Sequence, residues 1–254
     1  MAMHRLSAII ITKDEEKTIE RCLQSILWTD EIIVVDSYSS DNTVEICRSY
    51  TSHIYQRPFD NFQNQRNYAL EKATGEWILS IDADEIVGPA LQEEILRTIE
   101  DPGPHVGFYI PMESFLFNQP VRYTWGQNYL LRLFKREKAR FSSPIHEKVK
   151  IDGSVGYLRT PFQHYNSDTL EQFIAKNNLY TTLEARKKFE GGERFSPLKA
   201  FFSPLRIFVF RYFRLKGYRD GSLGLFLSAL LAVFNLLLHM KMWELSHSDK
   251  KSWR

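Results

Sequence analysis

Cysteine is scarce in this chain. Cys22 and Cys47 are its only thiols in 254 residues, too few for a disulfide scaffold or a zinc site, and that usage fits a reducing compartment. Glycine is missing where a phosphate cradle would need it, since the first apolar run ends Ile11-Thr12-Lys13-Asp14. That excludes a dinucleotide-binding dehydrogenase and a phosphate-cradling NTPase. An excess of one charge is also lacking: 33 Lys and Arg stand against 31 Asp and Glu, a net +2, which gives no case for a nucleic-acid partner. There is no internal repeat and no low-complexity segment. Met1 to Arg5 lead straight into an apolar run without the layout of a signal peptide, so the first part of the chain is expected in the cytosol. The length suits one large core, or one core with an appendage.

What is present begins with alternating apolar runs and helical patterns. Leu6–Ile11 and Glu31–Asp36 read as strands buried on both faces. His53–Gln56 reads as a short third strand and Trp77–Ile81 as a fourth. Between them, Thr12-Lys13-Asp14-Glu15 has capping-box spacing ahead of a helix that carries Ile19, Cys22, Leu23 and Ile26 on one face. Ser39–Thr43 starts a second helix, and Phe62–Ala73 a third that stops at Gly75. Strands linked by helices of this length predict an α/β fold with a doubly wound, mostly parallel sheet. Ligands of such sheets sit beyond the carboxyl ends of the strands.

Polar residues collect at those ends: Thr12 to Glu15 after the first strand, Asp36 to Ser39 after the second, and Asp82 to Asp84 after the fourth. If the fourth strand continues through them, Asp82 and Asp84 share one face while Ala83 and Glu85 point the other way. Two carboxylates so placed can hold a hard divalent cation with positions open for substrate phosphates. Three such clusters on one rim suggest a shared ligand, and without a glycine cradle a nucleotide held by side chains and a metal fits best, with Thr12, Asp14, Glu15, Asp36, Ser37 and Asp82 as the candidates on that rim. Arg66 joins them because it lies on the apolar face of its helix, four residues from both Phe62 and Leu70, and needs a partner there. A diphosphate or Asp82 would serve.

Four ordered segments, Ile-Ile-Ile-Thr-Lys-Asp-Glu-Glu, Glu-Ile-Ile-Val-Val-Asp-Ser-Tyr-Ser-Ser-Asp-Asn-Thr, Gln-Arg-Asn-Tyr-Ala-Leu and Ile-Asp-Ala-Asp-Glu, together resemble the family 2 glycosyltransferases of GT-A fold. Pro-Ile-His-Glu-Lys-Val and Gly-Tyr-Arg-Asp-Gly further along resemble the branch that builds lipopolysaccharide core, close to its β-1,4-glucosyltransferases. The resemblance implies that Thr12 and Asp36 contact the base and ribose of a UDP-hexose, and that Asp82 and Asp84 hold its diphosphate through Mg²⁺ or Mn²⁺. Lys13-Asp14 departs from the Tyr-Asn or Arg-Asn of many relatives. Inverting transfer also needs a base for the acceptor hydroxyl. Glu147, in the one later family-like motif that carries an acid, is chosen, with Asp152 in reserve. His146 and His164 are each a further metal ligand, an acceptor contact or a structural histidine. Val106–Phe134 is rich in aromatics, and Trp125 is the acceptor-sugar candidate among them.

The last third differs. Pro197–Lys216 mixes Phe201, Phe202, Leu205, Phe208 and Phe213 with Lys199, Arg206, Arg211, Arg214 and Lys216, the pattern of a helix lying in a membrane interface. Gly221–Met240 then runs twenty residues without a formal charge. A helical hairpin embedded in one leaflet, or packed on a partner subunit of a homo-oligomer, is expected there, with a true span as the alternative. The expected organisation is a catalytic domain over residues 1–165 and a helical, membrane-associating region over 166–254. The function expected is a metal-dependent, inverting hexosyltransferase at the cytoplasmic face of the inner membrane, acting on a lipid-linked saccharide. A polyprenyl-phosphate acceptor, or a non-catalytic membrane-bound saccharide-binding protein, is the alternative.

Overall fold

A computed structural model of the chain describes residues 6–126, 128–142 and 148–248. Two compact units result: Met1–Glu113 with Asn128–His164, and Ser114–Gln127 with Tyr165–Arg254.

The first unit is built on β1 (Leu6–Thr12), β2 (Glu31–Asp36), β3 (Ile54–Gln56) and β4 (Trp77–Asp82), parallel in the order β3-β2-β1-β4. Every residue of β2 is buried, and all of β1 but one, which is why both read as unbroken apolar runs. Helices α1 (Ile19–Ser25), α2 (Thr43–Arg48), α3 (Phe62–Lys72) and α4 (Pro89–Glu100) divide between the two faces. Ala8 and Ile10 of β1 pack with Cys22 and Leu23 of α1, Cys47 of α2 and Leu91 and Ile95 of α4. Ile9, one residue along and so on the opposite face, packs with Ala69 and Leu70 of α3. The sheet is thus doubly wound, as expected for the GT-A type.

Past β4 the pairing turns antiparallel. β5 (Glu85–Ile86), β6 (His105–Leu116), β7 (Gln119–Val121) and β8 (Asn128–Lys135) follow, β8 pairing with both β4 and β6. β9 (Ala139–Ser142) and β10 (Lys148–Ile151) form a separate ribbon. β11 (Ser154–Tyr157) adds to β6, and β12 (Phe162–Ser167) pairs with β5.

Two local expectations need correction. Thr12-Lys13-Asp14-Glu15 does not cap α1, which begins at Ile19. Thr12 is instead the last residue of β1, in register with Asp36, so the residues after it line a loop. Nor does Gly75 terminate α3. The helix ends at Lys72 with Ala73 extended at φ −70°, ψ 142°, so no left-handed residue is required. The Gly75 N–H donates to Ser7 Oγ at 2.9 Å.

The second unit is mainly α5 (Leu170–Glu190), α6 (Pro197–Val209) and α7 (Gly221–Ser248). Thr169 and Gln172 form a capping box at the start of α5. Phe173 of α5, Leu227 and Phe234 of α7, and Leu116 and Val121 make its apolar cluster. Asp220, just before α7, accepts the backbone N–H groups of Arg122 (3.1 Å), Tyr123 (3.1 Å) and Thr124 (2.8 Å) and the Thr124 hydroxyl (2.8 Å). A β-carbon at Gly224 would lie 1.9 Å from the carbonyl oxygen of Gly217, so the Gly-Tyr-Arg-Asp-Gly…Gly segment is a close-packed turn that clamps residues 122–124. The apolar run is one helix, and Gly217–His247 is long and apolar enough to cross a membrane, its most apolar 18-residue window having a mean hydropathy of 2.1.

Candidate active site

The parallel register brings the expected residues to one edge. Thr12 lies opposite Asp36, and Ile11 opposite Asp82. Asp36 is fully buried and accepts the N–H of Ser39 at 3.0 Å and Gln56 Nε2 at 3.2 Å. The Thr12 hydroxyl is buried and has no hydrogen-bond partner among the described residues. Beyond the strands two loops tie to each other. The Asp14 carboxylate accepts the N–H of Ser40 at 2.6 Å, and that bond holds its pKa below the usual carboxylate value. Lys13 Nζ bonds the carbonyl oxygen of Tyr38. The Glu15 N–H donates to Thr43 Oγ1 at 2.8 Å, while its carboxylate accepts the Thr18 hydroxyl at 2.7 Å. Ser37 Oγ accepts Gln65 Nε2 at 2.8 Å. Asp14 and Tyr38 sit in the left-handed region, at φ 54° and 60°, a conformation that costs energy for residues other than glycine and clusters at functional sites.

Asp82 is held by two guanidiniums. Arg66 reaches Oδ1 at 2.6 Å and also bonds Ser80 Oγ at 3.2 Å. Arg132 reaches Oδ2 at 2.6 Å and bridges on to Glu85. Burial opposes ionisation of Asp82, but the two cations outweigh it and its carboxyl is held well below the usual range. Glu85, only 2% exposed, goes the other way: burial pushes it up to about 7 against the pull of Arg132. Its carboxylate also accepts the Asp82 N–H at 2.9 Å.

This arrangement revises the expectation of a shared carboxylate face. β4 ends at Asp82 and a turn follows, so side-chain alternation stops there. Asp84 instead meets His164, with Oδ2 and Nε2 3.2 Å apart, and Glu85 does not point away but returns to Arg132. Among the described residues no group of three or more His, Cys, Asp or Glu is gathered for a metal. Both Asp82 oxygens face arginines, and Asp84 and His164 stand together beside them. One carboxylate oxygen and one imidazole nitrogen, with positions left for phosphate oxygens and water, fit an open divalent-cation site.

A cleft of about 580 Å³ adjoins this cluster, lined by Arg66, Asp82 and Arg132 together with Tyr109 and Tyr129. Tyr157 stacks on Tyr109 at 5.1 Å and meets Tyr129 edge-on at 5.6 Å. Trp125 belongs to the second unit, partly buried against its apolar cluster, 6.3 Å from Phe173. His146 and Glu147 lie outside the described residues. Arg132 is the residue that sequence reasoning overlooked. Its signal was a lone charge inside the strand Leu130-Leu131-Arg132-Leu133-Phe134, the same anomaly that marked Arg66.

Residues 7–165 match the family model described as glycosyl transferase family 2. The lipopolysaccharide core biosynthesis glycosyltransferase LpsC of Rhizobium meliloti is 31% identical over 250 residues, covering 94% of this chain and 92% of LpsC. An uncharacterized glycosyltransferase of Rickettsia typhi is 28% identical, covering 96% of this chain and 88% of its own length. Among solved structures, Staphylococcus aureus TarS 1–349 in complex with UDP aligns with a TM-score of 0.47 at 15% identity, over 98% of this chain and 92% of that one.

Proposed function

The chain belongs to glycosyl transferase family 2, and from that premise we propose an inverting hexosyltransferase that moves glucose from a UDP donor onto a lipid-linked saccharide. The single observation that carries this reading is the convergence of Thr12, Asp36 and the Asp82–Asp84 turn at the carboxyl edge of β1, β2 and β4. The buried Thr12 hydroxyl and Asp36 are assigned to the nucleoside, with Asp14, Glu15 and Ser37 shaping the loops around it. Asp82 orients Arg66 and Arg132, whose charges line the cleft where a diphosphate would sit. Asp84 and His164 would hold Mg²⁺ or Mn²⁺, which when bound supplies positive charge to the leaving diphosphate. Glu147 is assigned as the base that takes the acceptor hydroxyl's proton as that oxygen attacks C1 from the side opposite the diphosphate. Tyr109 and Tyr129 offer ring faces to a sugar in the cleft, and Trp125 and His146 remain assigned to the acceptor.

The acceptor assignment rests on the likeness to LpsC and on the long apolar helix, which suits an enzyme that works at the cytoplasmic face of the inner membrane. The experiment is a thermal-shift panel of nucleotide sugars, since only a ligand that prefers the folded state raises the melting point. Transfer of labelled hexose to lipopolysaccharide core acceptors follows. Stabilisation by UDP-glucose above other donors, with label in the acceptor, is the expected outcome. Stabilisation by no nucleotide sugar would overturn it.

A further inference from the structure

The second unit carries a groove that the transfer reaction does not use. It measures about 810 Å³, within the roughly 300–1,000 Å³ typical of small-ligand pockets. Its walls come from α5, α6 and α7. On α6 the lining residues Leu198, Phe202, Leu205 and Val209 fall at helical spacing, so they form one apolar stripe. Lys199 and Arg206, seven residues apart on the same helix, flank that stripe and line the groove as well.

Charge at the groove is not balanced. Lys188 lies 3.6 Å from Glu184 and 3.7 Å from Glu193, and Arg194 is engaged with the carbonyl oxygen of Phe189 at 2.9 Å. Among the described residues neither Lys199 nor Arg206 is paired with a carboxylate. A second, independent observation comes from α7. Asn235 lines the groove, and its Oδ1 is buried without a hydrogen-bond partner among the described residues. A buried acceptor left unsatisfied is costly, and a hydroxyl entering the groove would satisfy it.

An apolar trough, two uncompensated cations and an orphaned acceptor match one ligand chemistry: a phosphate, a hydroxyl and an acyl chain in a single molecule. We propose that this groove binds an anionic membrane phospholipid, with its phosphate at Lys199 and Arg206, a head-group or glycerol oxygen at Asn235, and one acyl chain along the α6 stripe. The proposal rests on the membrane reading above and goes beyond it. A helix that merely partitions into the interface needs no groove, whereas bound lipid would fix α6 against α5 and α7.

The test uses the full-length protein and a short-chain phosphatidylglycerol below its micelle concentration, titrated beside inorganic phosphate, with flotation on phosphatidylcholine vesicles run in parallel. Two variants separate the contributions. Leu205→Trp fills the groove from an exposed position, and Lys199→Ala with Arg206→Ala removes the cations. Saturable binding of the short-chain lipid is expected, with inorganic phosphate inert. Each variant should weaken that binding on the order of tenfold or more, the double charge variant in proportion to roughly 1 kcal/mol for each lost cation near an anionic lipid. Equal lipid affinity in Leu205→Trp would overturn the groove as the site. Binding of inorganic phosphate as tight as that of the lipid would overturn the lipid as occupant. If wild-type protein fails to float on vesicles yet binds the short-chain lipid, the membrane reading falls and the groove stands; flotation without lipid binding has the opposite meaning.

Discussion

In the first unit all of β1 but one residue is buried, and Trp77, its largest fully buried side chain, is 0% exposed. In the second, α6 buries none of its residues, and Leu198 and Phe201 are 71% and 72% exposed. Only 28% of the most apolar window of the following helix is buried. Isolated exposed apolar residues are ordinary, but contiguous ones on adjacent helices mark an interaction surface, for a membrane or for another protein. The two units also hold their key carboxylates differently. Asp82 is fixed by the side chains of Arg66 and Arg132, which line a cleft, while Asp220 is fixed by the backbone of residues 122–124. The first arrangement keeps charge at the site, and the second only shapes a turn. This contrast underlies our proposal that chemistry belongs to the first unit and placement at the membrane to the second.

The largest effect expected is at the hub of the first unit. Arg132→Ala removes the cation shared by Asp82 and Glu85 and leaves two carboxylates facing each other. Breaking a buried pair by removing one partner costs about 3–5 kcal/mol, so denaturant titration should show a loss of that order together with lost turnover. Stability within about 1 kcal/mol of wild type would mean that Asp82 and Glu85 do not depend on this arginine.

Next comes the chemical step. Glu147→Gln keeps shape and removes the proton acceptor, so turnover should fall on the order of a hundredfold or more while donor affinity persists. Turnover within a few-fold of wild type would pass the role to Asp152 or a histidine.

Deleting residues 197–254 asks whether the division between units is real. Loss of vesicle flotation and of activity on the lipid-linked acceptor is expected, with nucleotide affinity changed only a few-fold. A truncated chain that unfolds and loses the nucleotide as well would show the apolar helices to be ordinary core.

The smallest effect is a pH dependence. Burial raises the Glu85 carboxyl to about 7 in the folded chain, above the 4.5 usual for a free glutamate, so the folded state binds more protons between those values. Stability should therefore be greatest near the lower value and decline as pH rises toward and through 7. Melting temperatures of wild type and Glu85→Gln across that window check it, and the variant should lose this part of the slope.

How far the sequence announced all this depends on where each partner lies. Parallel strands buried on both faces were legible because their Ile and Val runs admit few other readings. Arg66 was legible because a charge on an apolar helix face demands a partner, and Asp82 is that partner. Arg132 carried a similar signal, but its partners stand 50 and 47 residues away, and nothing local pairs them. The separation of Asp82 from Asp84 was hidden for another reason. Alternation holds only while a strand lasts, and the point where β4 stops is set by its neighbours in the sheet. The groove on α6 was readable only as a basic, aromatic pattern, since Asn235 joins it from another helix.

The central claim is that the edge of β1, β2 and β4 binds a nucleotide diphosphate, with Asp84 supplying a cation ligand. Calorimetric titration of UDP into wild type and Asp84→Asn, each with and without Mn²⁺, tests it most directly. Wild type should bind UDP more tightly with Mn²⁺, and the variant should keep its metal-free affinity while losing that gain. An undiminished gain in the variant, or no UDP binding by the wild type, would contradict the account.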